Sequence, residues 1–156
     1  MVRVDVQQKL ISNKTMKTIK SEKDINFLVE SFDNQTLPHD DWHHLEHIAV
    51  AAYYLHHFEL NAATEKIKAG IKKLNDAHGA IQTENSGYHE TITVFLMKIL
   101  AKKYKEAGAC SLWEKFQIGR ELLSNLNSFL MEFYSPELIN SWEARLNWVS
   151  PDKQDI

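Results

Sequence analysis

Glycine and proline are sparse in this chain, and their sparseness constrains the fold more than any other feature. Only five glycines and three prolines are spread over 156 residues. Sandwiches and barrels need frequent tight turns, which these two residue types usually supply. Apolar residues instead recur at helical spacing, as in Ile25, Leu28, Val29 and Phe32. The sequence therefore predicts an all-α fold, a single-domain bundle of about five or six helices.

Capping residues mark where helices are expected to begin. Serine and aspartate side chains accept hydrogen bonds from the unpaired amides of a first helical turn. The expected starts lie at Ser21, at Asp40 or Asp41, near Ala62, at Ser86, at Ser111 and at Ser135. The start at Ser111 is the clearest, because Glu114 completes a capping box. Gly79 and Gly108 are expected to end the third and fourth helices.

The ends of the chain are expected to lie outside the bundle. Residues 1–20 are polar and weakly periodic, which predicts a poorly ordered N-terminal segment. The bundle domain is expected over residues 21–150, and a frayed tail over residues 151–156. The single cysteine, Cys110, leaves no internal disulfide and is expected in a loop or as a small packing residue.

Charge and hydropathy restrict the expected partners. A formal net charge of −3 at pH 7 argues against nucleic acid, whose binding proteins usually show a basic excess on one face. No apolar run reaches transmembrane length, and residues 1–20 lack the apolar core of a signal peptide. We therefore expect a cytoplasmic protein with a small-molecule substrate or ligand, and without a nucleic-acid or membrane partner. The sequence leaves the oligomeric state open.

Three histidines in two short clusters are the strongest functional feature of the chain. His44 and His47 form an H-x-x-H pair early in an apolar helix, and His89 follows Tyr88 in a later segment. Residues at i and i+3 lie on neighbouring turns of one helix face. A third imidazole from another helix would complete a three-nitrogen site with an open position, the usual layout of a catalytic metal centre. The sequence predicts a divalent transition metal there, with zinc, iron or copper as candidates.

Other interpretations of the histidines remain open. His43 and His47 with Glu46 also form the inverted zinc-protease pattern H-x-x-E-H, but such proteases are far larger chains. We favour His44 with His47, because both share a helix strip with Ala51. The chain contains eight histidines, so some of them can be close in sequence by chance. The alternative is that these histidines are hydrogen-bonded core residues that bind no metal. The histidines assigned to the surface or to helix ends are His39, His56, His57 and His78.

Two charged residues are candidates for catalysis. Glu90, next to His89, is a candidate fourth ligand, a carboxylate that orients an imidazole, or a general base beside a metal-bound water. Arg145 is a candidate for binding a substrate carboxylate or phosphate, although a structural ion pair is the simpler role. Asn75 and Tyr88 are candidate hydrogen-bond donors in a pocket.

Three motifs span about residues 25–152: an aromatic residue before H-x-x-H, a Tyr-His-Glu-Thr-Ile-Thr hexapeptide, and Ala-Arg followed by Trp-Val-Ser-Pro-Asp. In this combination the chain resembles a group of small, functionally uncharacterised bacterial helical proteins. The resemblance implies that five residues belong to one motif set: His44, His47, His89, Glu90 and Arg145. It implies no reaction.

A metal-dependent enzyme that acts on a small, anionic molecule is the function these patterns favour. Zinc would supply hydrolysis or hydration through an activated water, and iron or copper would supply oxygen chemistry. One alternative is a metal- or small-ligand-binding module without turnover. The other is a structural or partner-binding bundle that holds no metal.

Overall fold

Eight α-helices and no strand make up the part of the chain that the structure, a computed structural model, describes: residues 19–109 and 111–156. The helices are α1 (Glu22–Asp33), α2 (His44–His57), α3 (Leu60–Ala77), α4 (Glu90–Ala107), α5 (Leu112–Leu122), α6 (Leu126–Phe133), α7 (Pro136–Ile139) and α8 (Trp142–Leu146). The all-α prediction is confirmed. The helix count exceeds the expected five or six because α7 and α8 are separate single turns of four and five residues.

Parts of the sequence predictions lie beyond the described residues. Of the N-terminal segment predicted over residues 1–20, only residues 19 and 20 are described, and Cys110 lies outside the described residues as well. The tail predicted to fray over residues 151–156 carries hydrogen bonds: Ser135 donates to Asp152, and Lys153 donates its amide to the carbonyl of Phe133.

Helix α2 is central to the bundle. It contacts α1, α3, α4 and α5, as expected for a helix with little polar surface. Its residues 48–52 are buried on all sides, and three of the five are alanines, which let neighbouring helices approach closely. Gly70 on α3 and Gly119 on α5 serve the same purpose, since a Cβ atom on either would overlap Phe32 or Ile48. The close packing positions α2, and with it His44 and His47.

Two helix starts differ from the sequence prediction. Asp41 lies in a short 3₁₀ helix (His39–Asp41), and α2 begins after His43, whose amide donates to the Glu46 carboxylate. Helix α4 begins after His89 rather than after Ser86. His89 takes the capping role because its ring nitrogen accepts a hydrogen bond from the Ile92 amide. His89 therefore lies at the N-cap, and not within the first helical turn, where a start at Ser86 would have placed it.

The C-terminal helices pack on the opposite side of α4. Phe95 and Ile99 of α4 form a second apolar cluster with Leu130, Tyr134 and Ile139. This cluster places the end of α7 beside the start of α4. None of the helices in residues 19–109 and 111–156 has both the length and the apolar character needed to cross a membrane.

Candidate functional site, a histidine-lined cavity

A cavity of about 650 Å³ opens between α2, α3, α4 and the loop of residues 78–89. Its volume lies within the range of small-molecule sites, roughly 300–1,000 Å³. All three histidines that the sequence singled out, His44, His47 and His89, line it. Most of the remaining wall is apolar and includes Ile48, Ala51, Ile71, Ile92, Leu96 and Leu100.

His47 is the most strongly oriented of the three histidines. Its ring stacks on Trp42 with a centroid distance of 3.7 Å, and Nδ1 lies 2.6 Å from the carbonyl oxygen of His43. A carbonyl can only accept, so Nδ1 holds the proton and Nε2 keeps its lone pair. Burial lowers the pKa of His47 to about 4. The ring is therefore neutral at pH 7, and Nε2 is a hydrogen-bond acceptor without a partner among the described residues.

His44 lies one turn before His47 on the same face of α2. Its Nε2–H donates to the carbonyl oxygen of Leu123 at 2.7 Å, across the bundle from α2. In the neutral ring, Nδ1 is then the nitrogen with a free lone pair. The i,i+3 pair predicted from the sequence thus presents two acceptor nitrogens from one helix face.

His89 uses both of its ring nitrogens inside the protein. Nδ1 accepts from the Ile92 amide at 3.2 Å, and Nε2–H donates to the carbonyl oxygen of Ile139 at 2.9 Å. Burial and the nearby Arg145 charge lower the pKa of His89. The ring is neutral, but neither nitrogen offers a lone pair to a ligand.

The fit to a metal ion is therefore partial. The free nitrogens of His44 and His47 have the form that a transition metal binds, whereas His89 would first have to release the Ile92 amide or the Ile139 carbonyl. Within residues 19–109 and 111–156, no group of three or more His, Cys, Asp or Glu side chains is placed to hold a metal ion. The three-histidine metal site stays a prediction.

Glu90 lies behind the cavity wall. One carboxylate oxygen is 2.5 Å from Nζ of Lys68, and the other accepts from the Tyr88 hydroxyl at 2.5 Å. Although burial raises the pKa of Glu90, the bonds from Lys68 and Tyr88 outweigh it and hold the pKa below its ordinary value. Glu90 is thus ionised with both oxygens engaged, and it orients Tyr88, which does line the cavity.

Arg145 lies outside the cavity wall and holds the loop that covers it. Its Nε donates to the carbonyl of Glu84, and its Nη1 to the carbonyl of Gly87, each at 3.1 Å. The sequence made Arg145 a candidate for substrate binding. In the structure its guanidinium instead donates hydrogen bonds to these backbone carbonyls.

Two further histidines line the cavity although the sequence assigned them to the surface or to helix ends. His78, which follows α3, donates from Nε2 to the carbonyl of Leu37 at 2.7 Å, and the exposed His39 contacts it edge-on. Asn75 also lines the wall, and its amide has no hydrogen-bond partner among the described residues. The i,i+3 spacing of Asn75 and His78 at the end of an amphipathic helix could have indicated this face.

Charged side chains are missing from the described part of the wall. Histidine apart, none of the residues that line the cavity is a lysine, arginine, aspartate or glutamate. The ion pair of Lys68 with Glu90 lies behind Tyr88, and each member neutralises the other.

Comparisons with protein-family models, curated proteins and solved structures find no match to this chain.

Proposed function

We propose that the protein binds a small organic molecule in the histidine cavity, with His47 as the main hydrogen-bond acceptor. The observation that supports the proposal is the cavity itself, about 650 Å³ with mostly apolar walls and a few convergent imidazoles. Concave, mostly apolar sites with a few oriented polar groups are the usual form of a small-molecule site.

The surroundings of His47 suit an acceptor better than a general base. The Trp42 stack and the His43 carbonyl hold the ring in one orientation before a ligand arrives. A general base is most effective when its pKa lies near the working pH, and the pKa of His47 is about 4. Binding through Nε2 is therefore the role that the geometry supports best.

An uncharged fluorescent probe, N-phenyl-1-naphthylamine, tests the proposal. We expect saturable fluorescence enhancement with the wild-type protein and its loss in Ala51→Leu, which adds three carbon atoms to the cavity wall. Ala101→Leu is the matched control, because Ala101 lines a different pocket, near His56 and Lys115. Ile71→Phe narrows the cavity from the α3 side and covers the case in which Ala51→Leu does not fold. Equal binding by all four folded proteins would contradict the proposal.

A metal-dependent enzyme is the second candidate, and the free nitrogens of His44 and His47 are the observation in its favour. These two residues would hold a zinc, iron or copper ion, and His89 would join them only after giving up its hydrogen bond with Ile92 or with Ile139. A bound zinc ion would supply an activated water, and iron or copper would supply oxygen chemistry.

Elemental analysis of untagged protein tests this second candidate. We expect about one equivalent of one transition metal in the wild type. His47→Ala should lose it, because a site with few protein ligands binds a metal weakly once one ligand is removed. His57→Ala, in the other pocket, is the control. Protein without metal after reconstitution with zinc, iron and copper would exclude the metal enzyme and leave the small-molecule site unaffected.

A further inference from the structure

We infer that the cavity selects an uncharged ligand with an apolar skeleton and a hydrogen-bond donor, a hydroxyl or an N–H, and that it discriminates against anions. The inference rests on the proposed small-molecule site and specifies its ligand class. It differs from the anionic substrate that the sequence predicted.

Of the six histidines that line the cavity, three donate a ring N–H to a backbone carbonyl and keep their other ring nitrogen without a partner among the described residues. In His44, His47 and His78, one ring N–H donates to a backbone carbonyl, at 2.7, 2.6 and 2.7 Å respectively. In the neutral form of each ring, the remaining nitrogen can only accept, and burial keeps the His47 ring in this form by lowering its pKa to about 4. A ligand that meets these nitrogens must therefore provide the hydrogen atom.

An anion would find no lysine or arginine in the described wall. Lys68 is paired with Glu90 and also lies 3.5 Å from Glu65. The guanidinium of Arg145 donates to two loop carbonyls, and the ammonium of Lys72 lies 4.8 Å from the centroid of the Tyr88 ring. A carboxylate or phosphate that entered would lose hydration without gaining an ion pair, which is costly.

The apolar walls determine the rest of the ligand. Isoleucine, leucine and methionine side chains from α2, α3 and α4 surround the imidazoles. Burial of apolar surface contributes roughly 25 cal/mol per Å². A planar or aliphatic skeleton therefore provides most of the binding free energy, and the donor group provides orientation.

Three compounds of nearly the same shape test the ligand class: 2-naphthol, naphthalene and 2-naphthoate. Each is measured at pH 7 by displacement of N-phenyl-1-naphthylamine from the full-length protein. We expect 2-naphthol to bind about 3- to 10-fold more tightly than naphthalene, the effect of one net hydrogen bond. The anionic 2-naphthoate should bind at least about tenfold more weakly than 2-naphthol.

A variant identifies the acceptor. His47→Phe keeps a ring for Trp42 to stack on but removes Nε2, the main acceptor, so it should lose most of the preference for 2-naphthol over naphthalene. His57→Phe, in the other pocket, is the matched control and should keep the wild-type preference.

The outcomes separate the inference from the proposed site. The ligand class would be overturned if 2-naphthoate bound most tightly, or if naphthalene bound as tightly as 2-naphthol. Either result would leave the cavity as a binding site. Failure of all three compounds against a probe that binds would overturn the ligand class as well. A probe that binds Ala51→Leu as well as wild type would overturn both.

Discussion

At the scale of single residues, His47 makes the stability of the fold depend on pH. Burial lowers its pKa from 6.5 to about 4, so between these values the unfolded chain binds a proton that the folded protein does not. The contribution to the free energy of unfolding is complete above about pH 6.5. It should fall by up to about 1.4 kcal/mol per pH unit as the pH approaches 4.

Chemical denaturation at pH 7, 6 and 5 measures this dependence. The comparison is between wild type and His47→Phe, and the variant should lose less stability on acidification. Burial raises the pKa of Asp41 and Glu46, which acts in the opposite direction, but both proteins contain these carboxyls. The difference between the two slopes therefore isolates His47, and identical slopes would contradict the prediction.

Gly70 is the residue at which a single methyl group should be most disruptive. A Cβ atom there would lie 2.3 Å from Cε1 of Phe32, a fully buried ring that stacks on Trp42. We expect Gly70→Ala to lower the free energy of unfolding by about 1–3 kcal/mol through overpacking. Because Trp42 in turn supports His47, probe binding should weaken too.

Denaturant titration measures this effect, and a double variant shows its origin. Phe32→Leu should partly rescue Gly70→Ala, since the smaller side chain vacates the space that the new methyl group needs. Alanine favours helices over glycine by about 1 kcal/mol, so a Gly70→Ala protein more stable than wild type would show that the ring moves freely.

At the scale of helices, the hexapeptide and the C-terminal motif hold α4 and its preceding loop against the end of the chain. The buried Thr91 donates to the carbonyl of Asn147 and accepts from the amide of Val149. Asp152 accepts hydrogen bonds from the amide and the hydroxyl of Ser135, the residue that caps the start of α7. At the other end of α7, the carbonyl of Ile139 accepts from His89. These motif residues position His89 and the cavity wall through structural contacts.

The loop before α4 should loosen when Arg145 is replaced. Arg145→Gln removes the two hydrogen bonds to the carbonyls of Glu84 and Gly87, so amide hydrogen exchange over residues 80–89 should become faster. Arg120→Gln, which removes an equal charge from the exposed face of α5, should leave this exchange unchanged. Unchanged exchange in Arg145→Gln would show that other contacts hold the loop.

At the scale of the whole molecule, the cavity couples ligand binding to folding. Its walls come from α2, α3, α4 and residues just beyond α5, so unfolding any of these elements destroys the site. A ligand that binds only the folded protein stabilises it by about 2.7 kcal/mol at 100 times its dissociation constant. We expect 2-naphthol to raise the melting temperature of wild type and of Ala101→Leu, but not that of Ala51→Leu. A rise of equal size in all three would place the binding site elsewhere.

Local sequence patterns predicted the helices where the capping partners are close in sequence. Ser21 and the pair Ser111 and Glu114 begin helices as expected, and Gly108 ends α4 in a left-handed conformation. The starts of α2 and α4 were wrong, because His43 and His89 precede the first turns in place of the aspartates and serine that are more common there. Nothing within four residues of His89 reveals the Ile139 carbonyl that fixes its ring.

The sequence by itself determined that the chain is helical and that His44 and His47 share one face of α2. These properties follow from residue spacing of three or four, which acts within a single helix. Only the tertiary structure decided which imidazole nitrogens are free. The partners of His44 and His89, at Leu123 and Ile139, lie 79 and 50 residues away along the chain. A hydrogen bond across such a distance depends on how the helices pack, and in His89 it engages a ring nitrogen that the predicted metal site would need.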